Sequence, residues 1–271
     1  MEWFKWFNYS CPFGENQIYV AEDQDKIIGA YGLLPYKIKF NDEVVDGYLC
    51  TNVCVLPAYQ RQGIFINLGR FVIGDNKLAL GVPNLQAIKG HLKVGWELLS
   101  NLDFIVSYNS DLGSFKSTRL GRFDKRFNSL LSVDKMRFAI VKDYKFLNWR
   151  YFDRPDKEYQ VYAYKDADTV LGFIVLKYFE KDDYRKTHIL DIYAINQDIF
   201  DDLITTAKTF THIRNCNEIN CWQIDNSIYA DWFHKRGFEL STNRNVLIIR
   251  DNLNKIKKNN WLFMLGDNDV Y

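Results

Sequence analysis

The chain has 271 residues, of which 47% are hydrophobic and 25% charged, so its composition is that of a globular protein and excludes a disordered one. Its formal net charge of +1 lacks the strong basic excess of general nucleic-acid binders, so we expect no nucleic-acid partner. The length fits one large domain or two domains of moderate size.

The start of the chain has no secretory signal pattern, and no apolar run has the length of a membrane span. The five cysteines form no CxxC pair and match no Cys/His spacing of a zinc site. Scattered cysteines in an odd number are typical of reduced thiols in the cytosol. We therefore expect a cytoplasmic protein with no metal and no membrane contact.

The first half of the sequence alternates strand and helix patterns. The predicted elements are strands over 17–22, 27–34 and 48–56, a helix over 63–75, a strand over 78–82 and a helix over 85–94. Gly95 follows this last helix, at the position where a left-handed residue commonly ends a helix. Cys50 and Cys54 have the same parity on the third strand, so an unbroken strand would place them on one face.

The second half repeats this order of elements. It contains predicted strands over 159–164, 170–176 and 189–194, a helix over 198–210, a strand over 218–223 and a helix over 227–235. Gly29 and Gly95 are 66 positions apart, and Gly172 and Gly237 are 65 positions apart. A repeat of this length predicts tandem domains with an α/β fold and mixed sheets. Coincidence among common α/β patterns is the alternative.

We place the boundary between the two predicted domains so that the first covers residues 1–125 and the second residues 126–271. The segment 116–128 at this boundary is basic, with Arg119, Arg122, Lys125 and Arg126 among its cations. A solvated connector is one interpretation of this charge, and a patch that meets a nucleotide phosphate is the other.

The segment after the third strand has the features of an anion site. Pro57 ends the strand, because proline cannot continue the ladder of hydrogen bonds. A polar turn with Gly63 then leads into a helix, whose first amides have no internal acceptors and lie at the positive end of the dipole. The glycine leaves room for an anion and Arg61 adds a cation, so the turn predicts a pyrophosphate site.

This segment resembles the first motif of the GNAT acyltransferase superfamily, a strand ending V-x-P-x-aromatic that is followed by Q/R-x-x-G-x-G/A. The residues that match this pattern are Val55, Pro57, Tyr59, Gln60 and Gly63, while Phe65 stands in place of the small final residue. The resemblance implies that the cofactor is an acyl-CoA such as acetyl-CoA. The residues implied to bind it are Val53, Cys54, Val55, Gln60, Arg61, Gln62, Gly63, Ile64, Phe65 and Asn84.

A second stretch resembles the N-x-x-A-x-x-x-Y-x-x-x-G-F pattern of the same superfamily. Asn84, Ala87 and Gly95 match it, and Trp96 stands for the phenylalanine. His91 stands where many members have the tyrosine that protonates the departing CoA thiolate. The resemblance thus implies His91 as the general acid, and imidazole titrates near neutral pH. A histidine that is hydrogen-bonded to a neighbour on its helix is the alternative.

The second copy lacks the phosphate loop, since residues 195–202 contain no glycine and three acids. Acids at a helix start repel a phosphate, so we expect one acyl-CoA per chain and a degenerate second domain that binds the acceptor. No general base is evident from the sequence. The candidate carboxylates are Asp46, Glu97, Asp103 and Asp191, of which we assign Asp191 to the catalytic site together with His91. A water relay or an amine that is already neutral would remove the need for a base.

The segment Trp149-Arg150-Tyr151 lies just before the second copy. It resembles a stretch in tandem GNAT proteins of bacterial surface-polysaccharide pathways, including sugar N-acyltransferases. Arginine can bind a phosphate through two hydrogen bonds, and aromatic rings can stack on a base or a sugar. The resemblance therefore implies a nucleotide-linked amino sugar, such as a dTDP sugar, as the acceptor bound by these three residues. An aromatic packing seam is the alternative.

The resemblance as a whole predicts a bacterial N-acyltransferase, monomeric or homodimeric, of O-antigen or lipopolysaccharide synthesis. It would move an acetyl or short (hydroxy)acyl group from acyl-CoA to the amine of the sugar. Two alternatives stay open. One is an N-acetyltransferase that acts on a peptide or a small amine, and the other is a module that binds acyl-CoA without turnover.

Overall fold

The computed structural model describes residues 1–41, 43–72, 74, 78–108, 112–132, 138–224, 227–251 and 261–271. The internal contacts of the chain divide it into two compact units. Unit 1 comprises Met1–Asn101 and Asn245–Asn259, and unit 2 comprises Leu102–Arg244 and Asn260–Tyr271. The division into domains at residue 125 stays a prediction.

The secondary structure alternates strands and helices along the chain. The helices are α1 (Glu2–Tyr9), α2 (Ile64–Val72), α3 (Leu85–Lys93), α4 (Tyr144–Tyr151), α5 (Gln197–Ile213) and α6 (Ala230–Lys235). The first strands are β1 (Gln17–Asp23), β2 (Lys26–Phe40), β3 (Glu43–Val55), β4 (Leu78–Gly81), β5 (Glu97–Ser107), β6 (Thr118–Arg119) and β7 (Phe138–Ile140). The later strands are β8 (Gln160–Asp166), β9 (Thr169–Lys181), β10 (Tyr184–Ala194), β11 (Glu218–Ile224), β12 (Glu239–Asp251) and β13 (Trp261–Leu262).

Unit 1 is built on a mixed sheet. β1, β2 and β3 are antiparallel neighbours, β4 joins β3 in parallel, and β12 pairs antiparallel with β4. The parallel step requires a crossover, which α2 supplies. The apolar faces of the helices and of the sheet meet in a core that contains Tyr31, Leu33, Leu68, Val72, Ala79, Val94, Trp96 and Ile248.

The strands of unit 2 pair according to the same plan. β8, β9 and β10 are antiparallel neighbours, β11 joins β10 in parallel across α5, and β5 pairs antiparallel with β11. β6 adds to β8, while β13 pairs in parallel with β7. The mixed α/β fold predicted from the sequence is therefore confirmed, and the order of elements in the two halves agrees with the predicted repeat.

In each unit, one strand comes from the opposite half of the sequence. β5 follows α3 in the first half, yet its residues 102–107 pair with β11 inside unit 2. β12 follows α6 in the second half, yet its residues 248–251 pair with β4 inside unit 1. Each unit is therefore completed by a segment that is distant in sequence, which no local pattern could predict.

The helix ends follow the predicted glycines closely. Gly95 and Gly237 follow α3 and α6 with φ values of +89° and +75°, the left-handed conformation that glycine adopts without a Cβ penalty. The prediction was wrong at the start of α6, because residues 227–229 form a turn before the helix begins at Ala230. The predicted helix over 63–75 is observed as α2 from Ile64 to Val72, and residues 73 and 75 lie outside the described part.

A bulge in β3 corrects the predicted placement of its cysteines. Cys54 lies opposite Ala30 and Cys50 opposite Leu33, so the two thiols do not have the same parity relative to β2. The register shifts between these pairs, where Asn52 adopts a left-handed φ of +51°. An extra residue of this kind reverses the alternation of side chains, so Cys54 is exposed and Cys50 is half-buried.

The basic segment at the proposed boundary is tied down by carboxylates. Arg126 pairs with Asp124 at 2.7 Å, and Arg122 pairs with Asp153 at 2.8 Å. These pairs agree with the solvated connector rather than with a phosphate patch. Among the residues described, no cluster of three or more His, Cys, Asp or Glu side chains has the geometry of a metal site. No described helix combines the length and the apolar character needed to span a membrane.

Candidate functional site

The loop between β3 and α2 is braced by two glutamines. Nε2 of Gln60 donates to the carbonyl of Val55 at 3.1 Å, and Nε2 of Gln62 donates to the carbonyl of Ala58 at 3.2 Å. A single 3-10 turn over Pro57–Tyr59 lies between them. The two side chains that the sequence assigned to cofactor binding therefore hold the shape of the loop in this structure.

Two residues of this loop adopt left-handed backbone conformations. Arg61 has a φ of +64° and Gly63 a φ of +83°. The first intrahelical hydrogen bond follows at once, from the amide of Asn67 to the carbonyl of Gly63 at 2.9 Å. A Cβ built on Gly63 would have Nδ2 of Asn67 as its nearest neighbour, 4.0 Å away, so the space over the glycine is open.

The amides of this loop are free to bind an anion. Within the described residues, the six backbone N–H groups from Arg61 to Ile66 have no hydrogen-bond acceptor in the protein. They lie at the start of α2, where the positive end of the helix dipole adds to their attraction for negative charge. This arrangement fits a phosphate or pyrophosphate without any change in the backbone.

β3 separates from β4 beside this loop. Their parallel pairing comprises Tyr48 with Ala79 and Leu49 with Leu80, and the rest of β3 pairs with β2 alone. The sequence assigned Val53, Cys54 and Val55 to cofactor binding. In the structure Val53 lies in the bulge and the other two follow it, on the part of β3 that has no described partner on the β4 side. Their outer edge therefore has the geometry to take an extended chain as an added strand.

Phe65 fits at the start of α2 because Gly90 of α3 has no side chain. A Cβ built on Gly90 would lie 2.5 Å from Cε1 and 2.8 Å from Cδ1 of Phe65, closer than such atoms approach. The phenylalanine ring thus occupies the space that the glycine leaves between α2 and α3. The departure of Phe65 from the family pattern is compensated in this chain by Gly90.

Asn84 has a local structural role. Its side chain accepts a hydrogen bond from the amide of Ala87 at 3.0 Å and so caps the start of α3. This capping accounts for the residue type at this position, while its assignment to cofactor binding stays a prediction.

His91 lies inside unit 1 among aromatic rings. Its ring is 5.1 Å from Phe65 and 5.2 Å from Trp96, edge to face, and Nδ1 lies 3.4 Å from the Tyr31 hydroxyl. The residue is 3% exposed, and this burial lowers its pKa from 6.5 to about 4. The imidazole is therefore neutral at pH 7, and its role as general acid stays a prediction.

Asp191 belongs to a buried charged cluster in unit 2. One of its oxygens pairs with Lys142, and the other accepts a hydrogen bond from the Tyr151 hydroxyl at 2.5 Å. Lys142 also pairs with Asp267 at 2.8 Å. Burial lowers the pKa of Lys142, but the two carboxylates raise it by more, so the lysine stays charged. Both oxygens of Asp191 are engaged, and its role as a base stays a prediction.

The other candidate carboxylates are paired or exposed. Asp46 pairs with Lys37 at 2.9 Å, and Asp103 pairs with Arg244 at 2.6 Å. Glu97 is exposed at the start of β5. None of these arrangements singles out a general base.

The proposed substrate residues Trp149, Arg150 and Tyr151 are buried on α4, each less than 5% exposed. The guanidinium of Arg150 donates to the carbonyls of Gly266, Asn268 and Tyr271 at 3.1, 2.7 and 2.5 Å. Through these hydrogen bonds Arg150 holds the segment after β13 against the interior of unit 2. This agrees with the packing alternative, and the assignment to substrate binding stays a prediction.

Sequence reasoning missed four residues that shape these environments. Gly90 makes room for Phe65, Tyr31 lies beside His91, and Lys142 and Asp267 complete the buried cluster around Asp191. Gly90 carried a signal, since a glycine in the middle of a predicted helix suggests a close approach. The other three carried none, because their partners are distant in sequence.

Comparison with known proteins gives two findings about family and fold. A family model described as an acetyltransferase (GNAT) domain matches residues 3–98. A GCN5-related N-acetyltransferase from Anabaena variabilis ATCC 29413 is similar in structure, with 13% identity, a TM-score of 0.70, and coverage of 87% of this chain and 62% of that chain. Another from Kribbella flavida has 18% identity, a TM-score of 0.65, and coverage of 87% and 59%.

A third similar structure is N-myristoyltransferase from Saccharomyces cerevisiae with bound myristoyl-CoA. It has 9% identity, a TM-score of 0.60, and coverage of 84% of this chain and 67% of that chain. No curated protein matches the sequence. The alignments span only 62% and 59% of the two N-acetyltransferases, so these likenesses show the fold. Residues 3–98 thus match the model of a GNAT acetyltransferase domain, and the similar structures show a GNAT-like fold.

Proposed function

We propose that this protein is an acyl-CoA-dependent N-acyltransferase that moves an acetyl or short acyl group to the amine of a nucleotide-linked amino sugar. The main support for the acyl-CoA site is the run of backbone amides from Arg61 to Ile66 at the start of α2, which have no acceptor among the described residues. The family match over residues 3–98 and the myristoyl-CoA in the yeast neighbour support an acyl-CoA as the ligand.

The residues of the loop fit a pyrophosphate in three respects. The free amides supply donors, the open space over Gly63 lets an anion come close, and the exposed Arg61 offers a cation. The unpaired outer edge of residues 52–55 then offers backbone groups to the amide-containing pantetheine arm. A thioester held along this edge would lie beside the strand bulge, where the direction of the backbone groups changes.

The transfer reaction is an attack of the amine on the thioester. The amine nitrogen attacks the thioester carbonyl and forms the C–N bond, while the C–S bond breaks. The nitrogen loses one proton and the CoA thiolate takes one up, so that the products are an amide and the free thiol. His91 and Asp191 are our proposed acid and base, although the first is neutral and the second is paired with Lys142. We therefore expect the orientation of the two substrates to supply much of the rate, since positioning alone can contribute about 7–11 kcal/mol.

The nucleotide-linked amino sugar is the part of the proposal that rests on the sequence of Trp149, Arg150 and Tyr151. Because these side chains are buried, a nucleotide would need another basic and aromatic surface in unit 2. A peptide or a small amine is the alternative acceptor.

A second candidate is a module that binds acyl-CoA without turnover. It is favoured by the neutral, buried state of His91 and by the engagement of both oxygens of Asp191. The two candidates share the cofactor site and differ only in whether CoA is released in the presence of an amine.

The test is to incubate the protein with acetyl-CoA and a panel of acceptors, and to follow free CoA and acylated product by mass spectrometry. The panel should contain dTDP- and UDP-linked amino sugars, free amino sugars, small amines and peptides with a free amino terminus. We expect acylation of a nucleotide-linked amino sugar in preference to the free sugar. Transfer to peptides alone would refute the acceptor, and binding without CoA release on any acceptor would refute the enzyme.

A further inference from the structure

A pocket of about 720 Å³ lies beside β9 in unit 2. β8 stops pairing with β9 at the pair Gln160–Leu176, so the last part of β9 pairs with β10 alone. The pocket is lined by this free part of β9, by the end of α5 and by the segment just before β8. Its volume falls in the range of about 300–1,000 Å³ that is typical of small-molecule sites.

Three cations line this pocket and have no carboxylate partner. Lys177, Lys186 and Arg214 make no ion pair and no side-chain hydrogen bond within the part of the chain that the structure describes. Lysines and arginines on a protein surface commonly form ion pairs with Asp or Glu. Three cations without such a partner around one pocket therefore favour the binding of a negatively charged ligand.

The acids of the pocket do not supply this charge. Asp156 is held by Arg154 at 2.8 Å, and Glu180 is held by Arg185 at 2.8 Å, both through arginines that do not line the pocket. Glu158 is the lining acid that has no ion pair among the described residues. The pocket therefore keeps a positive balance.

Each of the three cations lies over an aromatic ring. Lys177 is 5.7 Å from the ring of Tyr271, and Lys186 is 5.1 Å from the ring of Phe179. Arg214 is 5.5 Å from the ring of Tyr178. Rings beside cations are the combination that nucleotide sites use, because the cations meet phosphates while a ring stacks on the base.

The backbone adds further donors. A strand edge that lacks a neighbour points alternate N–H groups away from the sheet, and the stretch from Lys177 to Lys181 has such an edge on the pocket side. Side-chain cations, aromatic rings and edge amides thus line a single cavity of small-molecule size.

We propose that this pocket binds the nucleoside diphosphate part of the acceptor. The proposal rests on the proposed function, and it assigns the acceptor nucleotide to Lys177, Lys186 and Arg214 in place of the buried Arg150. Lys177 and Lys186 share one face of β9 and β10, and Arg214 lies over Tyr178 on the other face. The diphosphate therefore lies along the free edge of β9, where it meets the lysines from one side and Arg214 from the other, and the base stacks on one of the three rings. An acidic peptide that adds to the strand edge would use the same cations, and the test distinguishes it.

The test is isothermal titration calorimetry of the full chain with UDP, dTDP, inorganic pyrophosphate, uridine and an acidic peptide. Saturating acetyl-CoA should be present, so that the loop in unit 1 is occupied. We expect one nucleoside diphosphate per chain, bound at least tenfold more tightly than pyrophosphate or uridine. Pyrophosphate that binds as tightly as UDP, or an acidic peptide that binds more tightly, would overturn the proposal.

The variants Lys177→Gln, Lys186→Gln and Arg214→Gln should each weaken UDP binding by at least tenfold. Lys181→Gln is the matched control, since Lys181 is exposed on the same strand and does not line the pocket. Circular dichroism confirms that each variant is folded. UDP affinity that stays unchanged in all three pocket variants would overturn the assignment.

The transfer assay separates the failure of this site from the failure of the proposed function. If UDP binds as predicted and no amino sugar is acylated, the site stands and the enzyme proposal fails. If a nucleotide-linked amino sugar is acylated at the same rate by Lys177→Gln, Lys186→Gln and the native protein, with KM unchanged, the enzyme stands and this site fails.

Discussion

Gly90 on α3 and Phe65 on α2 complement each other, because a Cβ on the glycine would lie 2.5 Å from Cε1 of the phenylalanine. This pair explains how a bulky residue is accommodated where the family pattern has a small one. It also joins the two helices that flank the proposed cofactor loop. The two residues should therefore be coupled in stability.

We predict that Gly90→Ala destabilises the native protein and stabilises the Phe65→Ala variant. The added methyl group overpacks against the ring, at a cost of about 1–3 kcal/mol, while the better helix propensity of alanine returns about 1 kcal/mol. In the Phe65→Ala variant the ring is absent, so only the stabilisation from the helix propensity of alanine remains. Urea denaturation measures both changes, and Gly121→Ala is the control because no atom lies within 4 Å of its Cβ position. An equal effect of Gly90→Ala in both backgrounds would contradict the coupling.

The buried cluster in unit 2 predicts a large effect of one substitution. Lys142→Met leaves the carboxylates of Asp191 and Asp267 buried without their cation, and removal of one partner from such a pair costs about 3–5 kcal/mol. The loss should shrink as the pH falls below about 6, because burial raises the pKa of Asp267 to about 6 and this carboxylate then takes up a proton. Lys37→Met is the matched control, because its pair with Asp46 is exposed and is worth less than about 1 kcal/mol. Similar losses for both lysines in urea denaturation would argue against the cluster.

The state of His91 predicts how stability depends on pH. Its folded pKa of about 4 lies below the ordinary value of 6.5, so the folded protein binds fewer protons than the unfolded chain between these values. The contribution of the neutral His91 to the free energy of unfolding is thus fully present above pH 6.5 and is lost as the pH falls towards 4. In His91→Leu the free energy of unfolding should vary less over this range, whereas the exposed His234→Leu should behave like the native protein. Identical pH profiles for the native protein and His91→Leu would show that His91 is not buried as described.

A kinetic measurement tests the proposed acid role of His91 separately. If His91 protonates the leaving thiolate, His91→Ala should lower kcat more than it weakens acyl-CoA binding. The measurement compares single-turnover rates with calorimetric affinities for acetyl-CoA. Equal turnover in the variant would remove His91 as the acid and leave it as a packing residue.

The pocket beside β9 predicts a pH dependence of nucleotide binding. Burial and the nearby cations Lys157, Arg154 and Arg150 lower the pKa of Lys177 to about 8, with Asp156 opposing them in part. The groups that face its amine from other elements are the neutral His188 on β10 and the ring of Tyr271. As the pH rises through 8 the lysine loses its charge, so UDP affinity should fall.

The matching control for this titration is Lys177→Arg. An arginine keeps its charge above pH 9, so this variant should bind UDP with a nearly constant affinity between pH 7 and 9. Calorimetry at several pH values measures both profiles. Parallel profiles for the native protein and Lys177→Arg would show that Lys177 does not bind the nucleotide.

Much of the fold follows from local patterns, because strand alternation and the helix-ending glycines Gly95 and Gly237 are local signals. The parts that escaped prediction depend on distant contacts. The exchange of β5 and β12 between the two halves of the sequence has no local signature. The same holds for the carbonyl of Gly266, which accepts a hydrogen bond from Arg150 from 116 positions away. Such distant contacts bury the run Trp149-Arg150-Tyr151, and its burial could not be predicted from the sequence.

The phosphate loop was predictable for the same reason, since its strand, its glycine and its helix start are consecutive in the sequence. The bulge at Asn52 was not predicted, because the φ of +51° at this residue depends on the pairing of β3 with β2, which is a tertiary contact. Local chemistry thus located the proposed cofactor site, and only the tertiary structure revealed how its neighbours Phe65 and Gly90 fit together.

The central claim is that the loop around Gly63 binds the pyrophosphate of an acyl-CoA, and calorimetry of acetyl-CoA with Gly63→Asp and Gly63→Asn tests it most directly. Both side chains tolerate the left-handed φ of +83° better than other residues, and they differ by a single negative charge. We predict that Gly63→Asp binds acetyl-CoA at least tenfold more weakly than Gly63→Asn, a difference of about 1.4 kcal/mol. Equal affinities of the two variants and the native protein would contradict the account.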